Sequence, residues 1–325
     1  MFTILNLGLQ LLFAFQFSGT SEIKNFQLSQ NSSDNAYIEI QGTYHLKHKA
    51  LLASRIDSIS ELRKIIRIEY YTKVGVEDNT KDRVELSYLT KGIEISATLE
   101  EGISQGEIVA ARDGSLIDKI RLLYNEPYAI KVRNDLKKIN LLAKRFRTKY
   151  GDEDLAFYDL AEASVSMIVS TEFAFLRSRD SSEKGFINTF NHITAQALIS
   201  SIFGSETANF VAIVHERENM PELVSKAAIS EIEDNDKLML KVVDNYIDLI
   251  NNKLGQKLGE QLKLKYKIHK ETHWDSQLLT DYLNDLQAYY RRSFDIGMRP
   301  FHANDKLMIR FARKLNMVLG QDEAF

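Results

Sequence analysis

The chain has 325 residues, 44% of them hydrophobic and 27% charged, a balance that excludes a disordered, collagen-like or coiled-coil protein. With 42 Lys and Arg against 45 Asp and Glu the formal charge is −3, so no overall field draws it to nucleic acid, and specific nucleic-acid binding is not expected. It contains no Cys, which removes disulfides, thiolate nucleophiles, iron–sulfur clusters and Cys-ligated zinc.

Phe2 to Phe17 is apolar apart from Thr3, Asn6, Gln10 and Gln16, and it runs into Ser18-Gly19-Thr20-Ser21. Residues 1–20 therefore read as a signal peptide, which predicts a periplasmic or extracellular protein. The n-region has no Lys or Arg, and a buried N-terminal strand or helix in a cytoplasmic protein is the alternative. No transmembrane span is expected beyond this segment. Gln27 to Asn35, rich in Ser, Asn and Gln, reads as a linker.

Residues 36–114 predict a small α+β unit. Period-two alternation marks strands at Tyr37 to Ile40, Ile66 to Tyr70, Val84 to Tyr88 and Ile93 to Ala97. Glu77-Asp78-Asn79-Thr80 and Lys91-Gly92 supply turns, and Ala50 to Arg63 has helical apolar spacing. From Ser115 the pattern becomes helical, so residues 115–325 predict a larger, mainly α-helical domain and the fold class is α+β. The three prolines, Pro127, Pro221 and Pro300, fall where helices start or stop. Thr272 or Asp275 can cap a helix ending at Gly297, and Asn304 one ending at Gly320.

Several charged runs need no ligand. Lys131, Arg133, Lys137, Lys138, Lys144, Arg145, Arg147 and Lys149, with Asp135 the one acid among them, predict a basic helix that could meet phosphate or a membrane surface. Asp152, Glu153, Asp154, Asp159 and Glu162 follow at once, and internal pairing is the preferred reading. Glu231, Glu233, Asp234 and Asp236 lack the Gly and closing Glu of an EF-hand and read as a polar connection. His45 with His48, and His269 with Glu271 and His273, lack a recognisable third partner and read as surface histidines; His302 reads as a loop residue.

Three helical segments direct polar residues inward. On the first, His192, Gln196, Ile199 and Phe203 fall within about 60°, which puts the imidazole on the apolar stripe. After a break at Gly204, the second carries Ala208, Val211, Ala212 and His215 on one face, with Glu216 beside the imidazole; the pair is not HExxH. On the third, Asp244, Asp248, Asn251, Asn252, Gly255 and Gly259 occupy an arc of about 100°, opposite Lys253, Gln256, Lys257 and Glu260. Each glycine costs a helix roughly 1 kcal/mol, which points to backbone contact or room for a ligand.

If these segments converge, His192, His215 and Asp248 match the facial set that binds Zn²⁺, Mn²⁺ or Fe²⁺ with positions open for water. His215 and Glu216 are then the catalytic candidates, Glu216 as general base, with Asn188, Gln196, Asn251 and Asn252 supporting them. The opposing reading is a buried hydrogen-bond network that fixes helix register without turnover. A metal-free acid–base site using His215 and Glu216 is a third.

The succession Asn188-x-Phe190-x-His192 with Ala197-Leu198, then Gly204, Ala208 and His215-Glu216, then Asp248-x-x-Asn251-Asn252-x-x-Gly255, resembles an uncharacterised bacterial helical family. Its members carry N-x-F-R-H-x-x-W-x-A-L, A-H-E and D-x-x-N-N-x-x-G in order, some of them at the ends of large exported or wall-associated proteins. Here Asn191 stands for the usual Arg, Ala195 for Trp and Val214 for Ala. The resemblance implies a common site built on His192, His215, Glu216, Asp248 and Asn252, and no established reaction. The expectation is an exported bacterial protein with a metal-assisted hydrolytic site, acting on an unidentified substrate. The alternative is a non-catalytic cell-envelope binding or scaffold protein.

Overall fold

A computed structural model describes residues 46–72, 81–169, 174–219, 224 and 235–321. The signal-peptide segment, His45, the strand at Tyr37 to Ile40, the turn at Glu77 to Thr80, Pro221 and most of the acidic run before Asp236 lie outside them. The described fold is α+β: a small antiparallel sheet leads into a larger helical assembly.

The strands are β1 (Ile66–Tyr71), β2 (Arg83–Thr90) and β3 (Ile93–Glu100), hydrogen-bonded in the order β1-β2-β3. Alternation buries Val84, Leu86 and Tyr88 from β2 and Ile95, Ala97 and Leu99 from β3. Lys91 and Gly92 close the β2–β3 hairpin with φ of 49° and 77°, the left-handed pair that suits a two-residue turn.

After the single turn α1 (Ile59–Leu62), the helical part begins earlier than the sequence pattern suggests, at α2 (Gln105–Asp113), where Ser104 and Glu107 form a reciprocal cap. Then come α3 (Leu116–Asn125), α4 (Pro127–Lys131), α5 (Arg133–Ala143), α6 (Arg147–Tyr150) and α7 (Phe157–Ser166). The basic run is thus split over three short helices rather than carried by one. Internal pairing is its partial fate: Arg145 binds Asp159, and Lys138 reaches the Leu319 carbonyl. The acids Asp135 and Asp154 pair with Lys270 and with the buried Lys314.

The centre is made by α8 (Phe186–Phe203), α9 (Ser205–Asn219) and the 31-residue α10 (Asp236–Tyr266). Gly204, at φ 96°, separates α8 from α9. Almost all of α8 is buried, because α10 crosses one side of it and α7 another. A side chain at Gly255 would meet the Ile193 carbonyl at 2.7 Å, and one at Gly259 would run into the Ala197 carbonyl. Both glycines therefore serve backbone contact, not ligand space. Along the same seam Gln256 pairs with Gln196 at 3.0 Å, while Ser200 and Ser201 donate to the carbonyls of Gln256 and Gly259. Gln256 is consequently buried, contrary to its expected place on the solvent side.

The sheet packs on α10, and the Tyr70 and Tyr246 hydroxyls meet at 2.8 Å. His48 is another correction: it is fully buried, with Nε2 at 3.0 Å from the Ile93 carbonyl and its ring edge-on to Tyr88. Ala50 to Arg63 is not one helix but a 3₁₀ turn at Ala53–Arg55 and a single turn, α1 (Ile59–Leu62). Side chains from the helices satisfy its extended backbone. Asn251 accepts from the Leu51 amide at 3.0 Å and donates to its carbonyl at 2.8 Å, and Ser293 accepts from Ala50.

Two further helices, α11 (Ser276–Phe294) and α12 (Lys306–Leu319), complete the assembly. Asp275 caps α11 as expected, through the Leu278 amide, but the helix ends before Gly297, with Asp295 at φ 55°. Asp305 rather than Asn304 precedes α12, and Gly320 follows it at φ 81°. Among the described residues no helix is long and apolar enough to cross a membrane.

Candidate functional site

The N-terminal half of α8, the C-terminal half of α9 and the middle of α10 meet in a polar cluster within the apolar core. His192 stands between two residues of α10 that lie one helical turn apart. Its Nδ1 is 2.9 Å from Asn252 Oδ1, and its Nε2 is 3.3 Å from Asp248 Oδ2. Asn188, one turn earlier on α8, donates to both Asp248 oxygens at 3.0 and 3.1 Å and reaches Asp244 Oδ1 at 3.5 Å. Glu216 accepts from Asn252 Nδ2 at 3.3 Å. The His215 ring lies 6.2 Å from that of His192, and its Nδ1 is 3.4 Å from Gln105 Oε1 on α2.

These contacts determine the tautomer of His192. Asn252 presents its oxygen to Nδ1 and its amide to Glu216, so Nδ1 must carry the hydrogen. Burial holds the His192 pKa below that of a free imidazole, against the opposing pull of Asn252 and Asp244, so the neutral ring has its lone pair on Nε2. That lone pair faces a carboxylate oxygen. A positive charge belongs between the two, and below neutrality Asp248 can supply a proton, because burial raises its pKa to about 7, with Asn188 opposing.

Asp244 is also raised to about 7, by burial and then by Asp248, while Lys184 pulls the other way. His215 is pushed down to about 3 by burial and by its neighbour His192. The cluster thus rests with neutral imidazoles and carboxyls that titrate near neutrality. It is not sealed: the Asp244 side chain is 13% exposed, and Lys184, 3.4 Å away, is 54% exposed. Solvent reaches the Asp244 carboxyl from that side.

The structure brings together His192, His215, Glu216, Asp248, Asn188 and Asn252 but separates the other two supporting candidates. Gln196 belongs to the α8–α10 seam, and Asn251 binds the backbone of Leu51. Glu216 touches Asn252 on the Nδ1 side of the imidazole, away from Asp248, which gives it a positioning contact. Three participants are additional: Asp244, Lys184 and Gln105. The i, i+4 spacing of Asp244 and Asp248 is a readable signal for the first. Lys184 and Gln105 arrive from segments with no pattern that marks them.

Comparison with protein-family models, curated proteins and solved structures finds no match to this chain. Among the described residues no three or more His, Asp or Glu side chains are already gathered to hold a metal ion. His269 and Glu271 form an exposed pair, and His273 is exposed nearby.

Proposed function

We propose that this cluster is a hydrolytic site organised around the position between His192 Nε2 and Asp248 Oδ2, held by a proton below neutrality and by a divalent metal when one is bound. The observation that carries the reading is the 3.3 Å separation of these two atoms with the other imidazole nitrogen already committed. The distance is long for a direct hydrogen bond and matches the edge of a tetrahedral shell with bonds of about 2.0–2.1 Å, roughly 3.3 Å. The Asn252–Glu216 pair behind His192 has the form of the hydrogen-bonded support that orients a ligating imidazole. Drawing His215 inward would supply the third ligand, and Zn²⁺, Mn²⁺ or Fe²⁺ suits such a set.

A bound metal would acidify a coordinated water. Asp244 is the base best placed by its exposure and its pKa near 7, a role the sequence pattern suggested for Glu216. It would take the water's proton as the oxygen bonds to an electrophilic carbonyl or phosphoryl centre, and return it to the leaving group. The positions shared with the bacterial family, His192, His215, Glu216, Asp248 and Asn252, are neighbours in this cluster, which supports a common site. An exported protein remains the proposed setting.

The test is thermal unfolding with Zn²⁺ or Mn²⁺, combined with a panel of chromogenic carboxylic and phosphoric esters. A metal-dependent rise in midpoint and turnover, both lost in Asp248→Asn, are expected. An unmoved midpoint with no hydrolysis overturns the reading. One observation favours the non-catalytic alternative: buried amides elsewhere serve packing alone, Gln196 with Gln256 between α8 and α10 and Asn251 with the backbone of Leu51. In that case the cluster only fixes register in an envelope scaffold protein, and His192→Ala changes stability alone.

A further inference from the structure

Helix α3 (Leu116–Asn125) turns its apolar side outward. Leu116, Ile117, Ile120, Leu123 and Tyr124 are between 51 and 87% exposed, whereas Leu122 on the other side is buried. At 100° per residue the five fall on an arc of about 120°, with Lys119 about 40° beyond one edge and Arg121 about 40° beyond the other. A contiguous apolar stripe on a surface helix, bordered on both sides by basic residues, is a recognition feature rather than a folding accident.

The side chains that border the stripe on α3 itself are basic. Described acidic side chains near it are engaged within the protein: Glu107 and Asp118 cap α2 and α3, Glu126 faces Arg217 at 3.7 Å, and Asp135 binds Lys270 at 2.8 Å. Arg121 is exposed, as are Lys131 on α4, which packs on α3, and Arg133 and Lys137 on α5, which packs on α4. An occupant must therefore offer both hydrocarbon and negative charge.

We infer that α3 docks on an anionic lipid surface, with its apolar stripe in the boundary between headgroups and acyl chains and its basic rim at the level of the phosphates. A second copy of the chain would set basic rim against basic rim. The apolar segment Phe2 to Phe17 carries no side-chain charge and would leave the rim unanswered. An anionic bilayer satisfies both demands, to a depth of about 5–10 Å, and long Lys and Arg side chains reach back to the phosphates.

The full-length protein is to be sedimented with vesicles of phosphatidylcholine alone and of phosphatidylcholine with about one third phosphatidylglycerol. Binding to the second and its decline in high salt are expected. The double variant Ile117→Glu/Ile120→Glu should weaken it at least about tenfold by removing apolar contact, and Lys119→Glu/Arg121→Glu roughly tenfold or more by reversing the rim. Absence of binding to anionic vesicles, or binding that neither pair alters, overturns the inference. So does a concentration-dependent dimer that Ile117→Glu/Ile120→Glu abolishes, which would assign the stripe to a second copy. A large fall in the lipid-free thermal midpoint of that variant would assign it to the chain itself.

Discussion

The imidazole of His192 lies between an amide that fixes its tautomer and a carboxyl that can share a proton with it: Asn252 at 2.9 Å on one side, Asp248 at 3.3 Å on the other. Asp248→Asn tests this relationship with little change of shape. An amide donor can satisfy the Nε2 lone pair without a titrating proton but gives up one of the two contacts from Asn188, so relative to the native chain the folded state should lose about 1 kcal/mol at pH 5 and gain about 1–2 kcal/mol at pH 8, where the native carboxyl must ionise in a buried place. Chemical denaturation at both pH values reads this out. A loss of several kcal/mol at pH 8 would show that the carboxylate form is what the fold requires.

The pH profile of the native protein follows from groups shifted in opposite ways. Asp244 and Asp248, raised to about 7, bind protons in the folded state that the unfolded chain has released, so each removes stability as pH rises from about 4 to 7. His215, depressed to about 3, stays neutral while the unfolded imidazole takes up a proton, so stability is lost as pH falls from about 6.5 towards 3. Between about pH 4 and 6.5 the two effects oppose each other, so Asp244→Asn should make the fall of stability with rising pH shallower and His215→Gln should make it steeper. Urea midpoints across pH 4 to 8, roughly the span of these shifts, separate the two contributions. Identical profiles for both variants and the native chain would mean that neither group is perturbed.

What the amino-acid pattern conveyed depended on whether one segment carried its own signal. Val84 to Tyr88 and Ile93 to Ala97 alternate because one sheet face is buried, Gly204 breaks a helix through its own φ, and Asp275 caps a helix through its own carboxyl. Ala50 to Arg63 misled because helical apolar spacing also arises in an extended segment buried among helices, where Asn251, 200 residues away, replaces the missing backbone partners. The convergence of His192, His215 and Asp248 rested on inward-facing polar residues. Which amide served the cluster and which served a neighbouring contact was undecided by periodicity, since Asn251 and Asn252 are adjacent and both buried. Gly255 and Gly259 were similarly ambiguous until the carbonyls of α8 were seen against them.

Asn251 offers a check on how the first described segment is held. Both its amide atoms bond to Leu51 in a buried place, so Asn251→Ala would leave a backbone donor without its side-chain acceptor and lose about 2–4 kcal/mol. Asn251→Asp should be no better, because a carboxylate oxygen would replace the donor facing the Leu51 carbonyl. Both variants should also become cleavable between Leu46 and Ile56 in limited proteolysis before the helices are attacked. A variant with native resistance would show that Thr189 and Ser293, which bond to the same stretch, hold it unaided.

The packing of α8 against α10 gives a prediction whose sign opposes the usual helix rule. In an exposed helix, Gly→Ala gains roughly 1 kcal/mol from backbone preference. At Gly259 the added methyl would fall on the Ala197 carbonyl, a backbone atom held in a fully buried helix, with the Cβ of Ser200 2.9 Å away. Gly259→Ala must therefore spread the two helices and should lose about 1–3 kcal/mol or more, with Gly255→Ala milder because its closest atom is the Ile193 carbonyl at 2.7 Å. Because α10 also carries Asp248 and Asn252, the spread should lengthen the His192 contacts, and a metal-induced rise in thermal midpoint should shrink in Gly255→Ala, the substitution nearer those residues. Denaturation curves showing either variant more stable than the native chain would mean that the helices do not approach so closely.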